Sequence, residues 1–380
     1  MARIPKAAAC GHGSGWAPAP AGQELIGPAS AVYLPRAQYR EDTVIGYEQN
    51  VSTAENYRRF SRLEARGRSA LYEQISASVA DDAEVLAFLA ALPPAKRQPN
   101  LLLAAVRFLT GVQDSYRAFR AVLLDRRAEV AAVMLSRSTQ TNEPARCAVL
   151  LPALARLAPP LALIEVGASA GLTLLPDLYG YDYAGQRIEP ADPAASVLTC
   201  RPRGPVPVPA AVPEVAWRAG IDLNPLDVTD PDDVAWLSSL IWPGEAGRAE
   251  RLSAAVAVAR RRRPRVVAGD LIEELPVLAG QAPAGATLVI FHTSVLSYVE
   301  PARRATFAGL VAELGAAWLS SESRGVLPWL PDRWTTPQDS AHLLVRDGQH
   351  VLGLGDSHGT WVDWRERAGS PGVPPAGSDR

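Results

Sequence analysis

A buried strand that runs into a turn of small residues constrains the fold of this chain more than any other feature. The apolar run 161–164 leads into Glu165, and residues 167–171 then read Gly-Ala-Ser-Ala-Gly before Leu172. An apolar run that is followed by glycine and a new apolar period is typical of a strand, a tight turn and a helix. Small residues in such a turn let a ligand approach the backbone closely.

Two kinds of site use this corner, and they differ in the residue that carries the function. If Glu165 and the glycines carry it, the corner is a nucleoside-cofactor site in which Gly167, Ser169 and Gly171 line the ligand. If Ser169 carries it, Gly-x-Ser-x-Gly is the nucleophile elbow of an α/β-hydrolase. A third interpretation is a structural turn without a ligand.

Composition excludes several classes of partner. The chain has 380 residues, a formal net charge of −2 and 48% hydrophobic residues, so neither nucleic acid nor a membrane is expected as a partner. Its 3 cysteines are too few for a disulfide framework or a zinc site, and we expect no bound metal. We expect a cytoplasmic protein, and the oligomeric state stays open.

The pattern along the chain predicts an α/β fold behind a helical region. Residues 1–52 are expected to be disordered or extended, 53–158 to form a helical domain or lid, and 159–365 to form a Rossmann-like domain. A Pro-rich insertion over 176–213 is expected to form a long cover loop, and 366–380 a disordered tail.

The periodicity also places individual elements. In the first region, Asn100 is expected to cap the helix that starts at Leu101, and two further helices are predicted over 119–135 and 145–157. In the second region, the predicted strands are 161–166, 215–221, 265–268, 287–291 and 316–320. The helices between them are predicted at 172–178, 232–241, 249–262, 271–279 and 301–314. An antiparallel hairpin over 342–346 and 350–354, with Asp347-Gly348 as its turn, is expected to close the parallel sheet.

Acidic residues follow the second and third of these strands. Asp222, in Gly-Ile-Asp-Leu-Asn-Pro, stands where a carboxylate accepts hydrogen bonds from a ribose diol. Asp270 and Leu271 stand at the end of the next strand. The alternatives are an Asx turn at Asp222 and a helix N-cap at Asp270.

Polar residues follow the C-terminal end of the fourth predicted strand. His292 is a candidate general base, because an imidazole side chain can accept a proton near neutral pH, and Tyr298 is a candidate pocket residue. A histidine after an apolar strand also serves as a satisfied structural residue.

Three more candidates stand just before the first strand, and one stands near the end of the chain. Asn142, Glu143 and Arg146 are expected at the junction with the helical region, facing the cofactor end of the sheet, although the same segment also starts a helix well. His358 follows the hairpin and is a candidate turn residue, substrate contact or triad histidine.

These motifs resemble those of class I S-adenosylmethionine-dependent methyltransferases. The resemblance lies in the acid-Gly turn at 165–171, the acid at 222 and the Gly-Asp pair at 269–270, on three successive predicted strands. It implies S-adenosylmethionine as cofactor, with the turn at its amino-acid end and with Asp270 and Leu271 at its adenine ring. It also implies that the residues after the fourth strand face the substrate. The chain departs from the pattern at Ser169, where the family has glycine. It departs again in spacing, because Asp222 follows Gly171 by 51 positions instead of about 20.

Over 57–364 the chain also resembles an uncharacterised bacterial family, domain of unknown function 2332. The segments that carry this resemblance are 57–60, 97–102, 140–143, 165–171, 222–227 and 291–296. The family brings no known activity, only a methyltransferase-like α/β domain behind a helical region.

The sequence therefore predicts an S-adenosylmethionine-dependent methyltransferase that acts on a small-molecule acceptor. A serine hydrolase remains as an alternative, because Ser169, Asp270 and His358 stand in the hydrolase order. The helical pattern before residue 158 and the lack of a His-Gly-Gly-Gly segment count against it. A non-catalytic protein that keeps the fold for binding is the other alternative.

Overall fold

Nine strands form one mixed sheet in the computed structural model, which describes residues 52–330 and 341–366. Its centre is β1 (Leu161–Val166), whose six side chains are all buried. Leu161 and Leu163 point into one hydrophobic cluster, and Ile164 and Val166 point into another on the opposite face. A strand that is covered on both faces has a continuous apolar sequence, and β1 has this pattern.

The predicted strands lie close to their predicted positions, and the structure adds five strands that were not predicted. After β1 come β2 (Gly180–Tyr183), β3 (Gln186–Ile188), β4 (Val197–Thr199), β5 (Arg201–Arg203), β6 (Val215–Asp222) and β7 (Val266–Ala268). The rest are β8 (Thr287–Thr293), β9 (Ala317–Ser323), β10 (Ala341–Arg346), β11 (His350–Asp356) and β12 (Trp361–Trp364). The strands that were not predicted are β2 to β5 and β12. The order in the large sheet is β5-β12-β11-β10-β9-β8-β1-β6-β7.

Five neighbouring strands of this sheet are parallel, and the strand order reverses at β1. The strands β6 and β7 lie on one side of β1, and β8 and β9 lie on the other, all parallel to it. Their carboxyl ends therefore share one edge, which we call the C-terminal edge. Ligands of open α/β sheets bind outside this edge, at the point of reversal.

The predicted hairpin is present but does not end the sheet. The strands β10 and β11 pair in antiparallel register, and Asp347 and Gly348 between them have positive φ values of 52° and 66°. The sheet continues past β11 through β12 and β5. The expectation of a sheet closed by the hairpin is therefore wrong.

The Pro-rich insertion is a second sheet and not the predicted cover loop. Its strands β2, β3 and β4 form a three-stranded sheet, and β5 joins the large sheet beside β12. The Tyr183 hydroxyl donates to the Ala148 carbonyl at 2.7 Å, and the Tyr179 hydroxyl donates to the Leu172 carbonyl at 2.8 Å. These buried tyrosines fix the insertion to the body of the protein.

Eleven α-helices pack around the sheets in the described part of the chain. Those before the sheet are α1 (Thr53–Arg59), α2 (Ala70–Asp81), α3 (Ala83–Ala90), α4 (Pro99–Thr110), α5 (Tyr116–Asp125), α6 (Arg127–Ser136) and α7 (Arg146–Leu154). Those within it are α8 (Pro231–Ser239), α9 (Ala246–Arg262), α10 (Leu271–Ala279) and α11 (Pro301–Glu313). A π-helical turn over Phe60–Ala65 continues α1.

Three helix predictions need correction. The helix predicted over 172–178 is a single 3₁₀ turn at Leu172–Leu174. The helix predicted over 119–135 breaks at Arg126, where φ is −111°. Gln98 and not Asn100 precedes α4, because Pro99 occupies the first helical position, and Asn100 instead accepts a hydrogen bond from the indole of Trp242.

The described residues lie in one unit of the chain. One hydrophobic cluster contains residues of the helical region and of the large sheet, and all nine residues of α7 are buried between them. The boundary at 158 stays a prediction. Apart from Ser52 and Glu366, the terminal segments predicted to be disordered lie outside the described residues.

Within the described ranges, no helix has the length and apolar character that crossing a membrane requires.

Candidate functional site

The turn after β1 is joined to the end of β6 by backbone hydrogen bonds and is packed closely against Val295. The N–H groups of Gly167 and Ala168 both donate to the Ile221 carbonyl at the end of β6. Gly167 has φ of 71°, and a Cβ atom there would overlap the side chain of Val295. Glycine is therefore required at this position by backbone conformation and by the close approach of Val295.

Asn142 fixes the second half of the turn from the segment before α7. Its amide nitrogen donates to the Ala168 carbonyl at 3.2 Å, and its amide oxygen accepts from the Leu172 N–H at 2.9 Å. The Gly171 N–H donates to the Ala168 carbonyl. The N–H groups of Gly167, Ala168, Gly171 and Leu172 are thus bonded within the protein.

Ser169 lies at the tip of this turn in a left-handed conformation, with φ of 51°. Its side chain is 4% exposed, and its Oγ has no hydrogen-bond partner among the described residues. A buried hydroxyl without a partner marks a place where a polar ligand or a water molecule is needed.

Glu165 is buried at the end of β1, where it accepts a hydrogen bond from the Thr173 hydroxyl. Its second oxygen, Oε2, has no partner among the described groups. Burial raises the pKa of Glu165 to about 8, against the smaller lowering effects of Thr173 and Arg146. Glu165 is therefore mainly a neutral carboxylic acid at pH 7.

Asp222 ends β6 beside the turn, and its carboxylate already has three donors. Oδ2 accepts from the Ser169 N–H at 2.8 Å, and Oδ1 accepts from the Asn224 N–H at 2.8 Å and from Gln140 Nε2 at 3.2 Å. Burial raises the pKa of Asp222, although the two backbone hydrogen bonds oppose that effect. Ser169 and Asp222 are therefore neighbours, as a nucleoside site at this corner requires.

Asp270 has the capping role that was the alternative to an adenine contact. Its Oδ1 accepts from the Ile272 N–H at 2.9 Å, and its Oδ2 is paired with Arg303. The neighbouring Leu271 packs against the hydrophobic cluster on the α10 side of the sheet. Both residues lie at the C-terminal edge, at the end of the outermost strand β7.

His292 has both ring nitrogens occupied and is 0% exposed. The Trp318 indole donates to Nε2 at 3.0 Å, so the proton lies on Nδ1 and is donated to Glu322 Oε1 at 2.7 Å. Glu322 also accepts from the backbone N–H groups of Val295 and Leu296. Against the opposing effect of burial, the hydrogen bonds from His292 and then from Val295 hold the pKa of Glu322 below its usual value. The geometry disagrees with the catalytic role predicted for His292, because no nitrogen is free to act as a base.

The segment that carries Gln140, Asn142, Glu143 and Arg146 runs along the C-terminal edge. Gln140 bonds Asp222 at one end, and Arg146 at the other end donates to the carbonyl and hydroxyl oxygens of Thr293, which ends β8, at 3.1 Å each. Glu143 is buried and paired with two arginines of α9, Arg248 and Arg251.

His358 and Tyr298 lie near the Arg146 end of this segment. Arg146 Nε donates to the Ser357 carbonyl at 2.8 Å, and Arg146 also acts electrostatically on the Tyr298 phenol, which is 52% exposed. Burial and the charges of Arg248, Arg146 and Arg68 lower the pKa of His358, which is therefore neutral at pH 7. The structure thus brings Glu143, Arg146, Tyr298 and His358 into one neighbourhood.

Sequence reasoning missed four residues that contact or act on the candidate residues along the C-terminal edge: Arg68, Gln140, Arg248 and Glu322. Gln140 stood next to a candidate motif and was a detectable signal. The other three lie on α9, on β9 and just before α2, and only the fold brings them to this edge.

The residues of the hydrolase alternative are not brought together. Asp270 follows β7 and His358 follows β11, and six strand intervals separate these strands. At about 4.8 Å per interval, the strands β7 and β11 lie about 29 Å apart across the sheet. Asp270 and His358 cannot form one triad with Ser169.

A cavity of about 680 Å³ lies elsewhere, beside α11 and the turn between β10 and β11. Its lining includes Trp318, Trp329 and Gly348 and is mainly apolar. It is at the opposite end of the strands from the acids, so we place the candidate site at the C-terminal edge.

Comparisons with known proteins give a family and no activity. A family model described as "Uncharacterized protein conserved in bacteria (DUF2332)" matches residues 54–364. Neither the curated proteins nor the solved structures gave a match. The matched region contains every described strand and most of the chain, and the chain therefore belongs to the DUF2332 family of bacterial proteins.

Proposed function

We propose that this protein binds S-adenosylmethionine at the C-terminal edge of β1, β6 and β7 and transfers its methyl group to a small acceptor. The observation that carries the proposal is the reversal of strand order at β1, which puts the turn 165–171 beside Asp222. A Rossmann-like sheet of the methyltransferase type has this order in its parallel part, and its cofactor lies at this reversal.

Two buried groups support a polar ligand at this corner. Ser169 Oγ and Glu165 Oε2 are both buried without a hydrogen-bond partner among the described residues. Neutral Glu165 can donate as well as accept a hydrogen bond, and the turn 167–171 presents only small side chains. These groups suit the amino-acid end of S-adenosylmethionine, and Asp222 suits the ribose hydroxyls.

When bound, S-adenosylmethionine supplies an electrophilic methyl group on sulfur. The protein's task is then mainly to hold the acceptor in line, since positioning alone lowers such a barrier strongly. Arg146, Tyr298 and His358 lie toward β8 and β11 and are the residues available to orient an acceptor. His292 has no part in this chemistry.

One observation favours the alternative of a non-catalytic binding protein. Gln140 donates to Asp222 Oδ1 and to the Asn224 carbonyl, at 3.2 and 2.7 Å, and so occupies the carboxylate that a ribose would use. A nucleoside must displace this side chain to reach Asp222. If it does not, the protein keeps the fold without the cofactor.

Calorimetric titration with S-adenosylmethionine and S-adenosylhomocysteine tests the proposal. We expect micromolar binding by the wild type, a loss of at least tenfold in Asp222→Ala, and no loss in Asp192→Ala. Asp192 is a suitable control because it is half-exposed, and its carboxylate contacts only Arg261 and the nearby Ala194 N–H in the described structure. Absence of binding by the wild type contradicts the proposal, and binding without methyl transfer to any acceptor supports the non-catalytic alternative.

A further inference from the structure

Four arginines and two carboxylates meet where α7, α9 and the loop after β11 come together. Arg248 is paired with both Glu143 and Glu245, Arg251 is paired with Glu143, and Arg68 is paired with Glu245. Arg146 has no carboxylate in hydrogen-bond contact among the described residues and donates only to neutral oxygens. We call Arg68, Arg146, Arg248 and His358 the junction cluster.

Arg68 and His358 are each held in place by contacts outside the cluster. The Arg68 guanidinium lies 4.2 Å from the centroid of the Trp242 ring. The loop that carries His358 is pressed against α7, since a Cβ atom at Gly359 would overlap the Ala145 carbonyl. The His358 N–H bonds Asp356 Oδ2 at 3.2 Å.

His358 has a defined tautomer. Arg68 Nη2 lies 3.5 Å from His358 Nδ1, and a guanidinium group can only donate. Nδ1 is therefore the acceptor, and the proton lies on Nε2. In the part of the chain that the structure describes, Nε2 has no partner.

We infer that the junction cluster binds an oxyanion, a carboxylate or phosphate group, of the methyl acceptor. Guanidinium groups and an imidazole N–H are the donors that such groups prefer, and Arg146 has no carboxylate in hydrogen-bond contact among the described residues. Tyr298, a half-exposed residue, and Glu64 lie beside the cluster, because Arg146 and Glu64 act electrostatically on the Tyr298 phenol and Arg68 acts on Glu64. The assignment to the acceptor rests on the proposed function, whereas the oxyanion site itself does not.

The charges around His358 make it a reporter for the anion. Arg248, Arg146, Arg68 and His342 act on the ring electrostatically, and all of them oppose its protonation, as burial does. Glu143 and Glu245 pair with these arginines, and Glu322 and Glu165 act on Arg146 electrostatically. Asp356 accepts a hydrogen bond from the backbone N–H of His358. An oxyanion bound between the arginines offsets their charge and shifts the ring resonances of His358.

We would titrate the full-length protein with inorganic phosphate, and separately with acetate, at constant ionic strength. The ring protons of the five histidines are followed by NMR and assigned with His358→Gln. We expect a saturable shift of His358 with at least one of the two anions. A response to phosphate alone identifies a phosphate group, and a response to acetate identifies a carboxylate.

Three variants separate binding from misfolding. We expect Arg68→Gln, whose side chain is 35% exposed, to weaken binding at least fivefold, and Arg261→Gln, on an exposed ion pair, to leave it unchanged. We expect Glu245→Gln to tighten binding at least threefold, because it frees Arg68 and Arg248 from a competing carboxylate. A damaged fold cannot produce that gain.

The outcomes also distinguish this inference from the proposed function. No saturable shift with either anion overturns the inference, as does a failure of Glu245→Gln to tighten binding. Displacement of the anion by S-adenosylhomocysteine overturns the assignment to the acceptor, because the cluster then holds the carboxylate of the cofactor. Phosphate binding without any S-adenosylmethionine binding leaves the oxyanion site standing and removes the methyltransferase proposal.

Discussion

At the scale of single residues, the carboxyl group of Glu165 has the most consequential environment. It is 2% exposed, with one oxygen bonded to Thr173 and the other without a partner among the described groups. Its pKa of about 8 in the folded protein lies above its ordinary value of 4.5. The folded state therefore binds a proton that the unfolded state releases over this range, and stability falls as pH rises from 4.5 through 8.

We predict that Glu165→Gln removes this part of the pH dependence. Between pH 5 and pH 8, the unfolding free energy of the wild type should fall relative to that of the variant. The slope should approach ~1.4 kcal/mol per pH unit, the value for one proton. Urea unfolding at several pH values measures both profiles.

Glu129→Gln is the control for this measurement. A hydrogen bond from Arg126 lowers the pKa of exposed Glu129, so it does not titrate between pH 5 and pH 8. Parallel profiles for the wild type and Glu165→Gln would show that Glu165 is ionised throughout.

His292 gives a second prediction at this scale. His292→Phe removes the ring partner of both Trp318 Nε1 and Glu322, two buried polar groups. We expect a loss of about 3 kcal/mol in unfolding free energy, because unpaired buried groups are costly. The exposed His350 is the control, and His350→Gln should change stability by less than about 0.5 kcal/mol. A fully stable but inactive His292→Phe would restore the catalytic interpretation.

At the scale of elements, the sequence predicts the long buried strands better than the short strands and turns between them. The apolar period located β1 at its observed bounds and β8 and β9 within a few residues, because burial on both faces leaves a continuous pattern. The sequence predicts a helix where the structure has the 3₁₀ turn Leu172–Leu174, because Leu172, Leu174 and Leu175 are apolar residues that tertiary packing buries. It predicts a loop where the structure has β2 to β5, because these strands are three or four residues long and lie in a proline-rich segment. They are too short for a period to appear.

The contact between the loop after β11 and the start of α7 carries the prediction at this scale. Gly359 has φ of 80°, and a Cβ atom there would overlap the backbone of Ala145. We expect Gly359→Ala to cost at least about 2 kcal/mol of unfolding free energy more than Gly285→Ala. Gly285 has φ of 87° with nothing within 4 Å, so it bears the conformational cost without the overlap. Equal losses in denaturant unfolding would mean that the loop is not pressed against α7.

At the scale of the whole molecule, the candidate site depends on contacts that no local pattern encodes. The motifs at 165–171 and 222 were visible in the sequence because glycine and acidic residues mark turns and strand ends. The side chains that bond to these motifs could not be identified from the sequence, because Gln140 and Asn142 reach the motifs from the segment that precedes α7. The junction cluster joins residue 68 to residues 248 and 358, and only the packing of the helical region on the sheet brings these together.

This packing predicts that the helical region and the sheet unfold together. All nine residues of α7 are buried, and Leu101 and Leu123 of the helical region share one hydrophobic cluster with Leu163 and Phe291 of the sheet. Exposing either half would therefore uncover the other's core, which makes independent stability of the predicted domains unfavourable. We expect a single calorimetric transition whose calorimetric and van't Hoff enthalpies agree, with coincident changes in near-UV and far-UV circular dichroism. Two transitions, or a folded fragment that starts at residue 159, would show instead that the boundary predicted at 158 separates two domains.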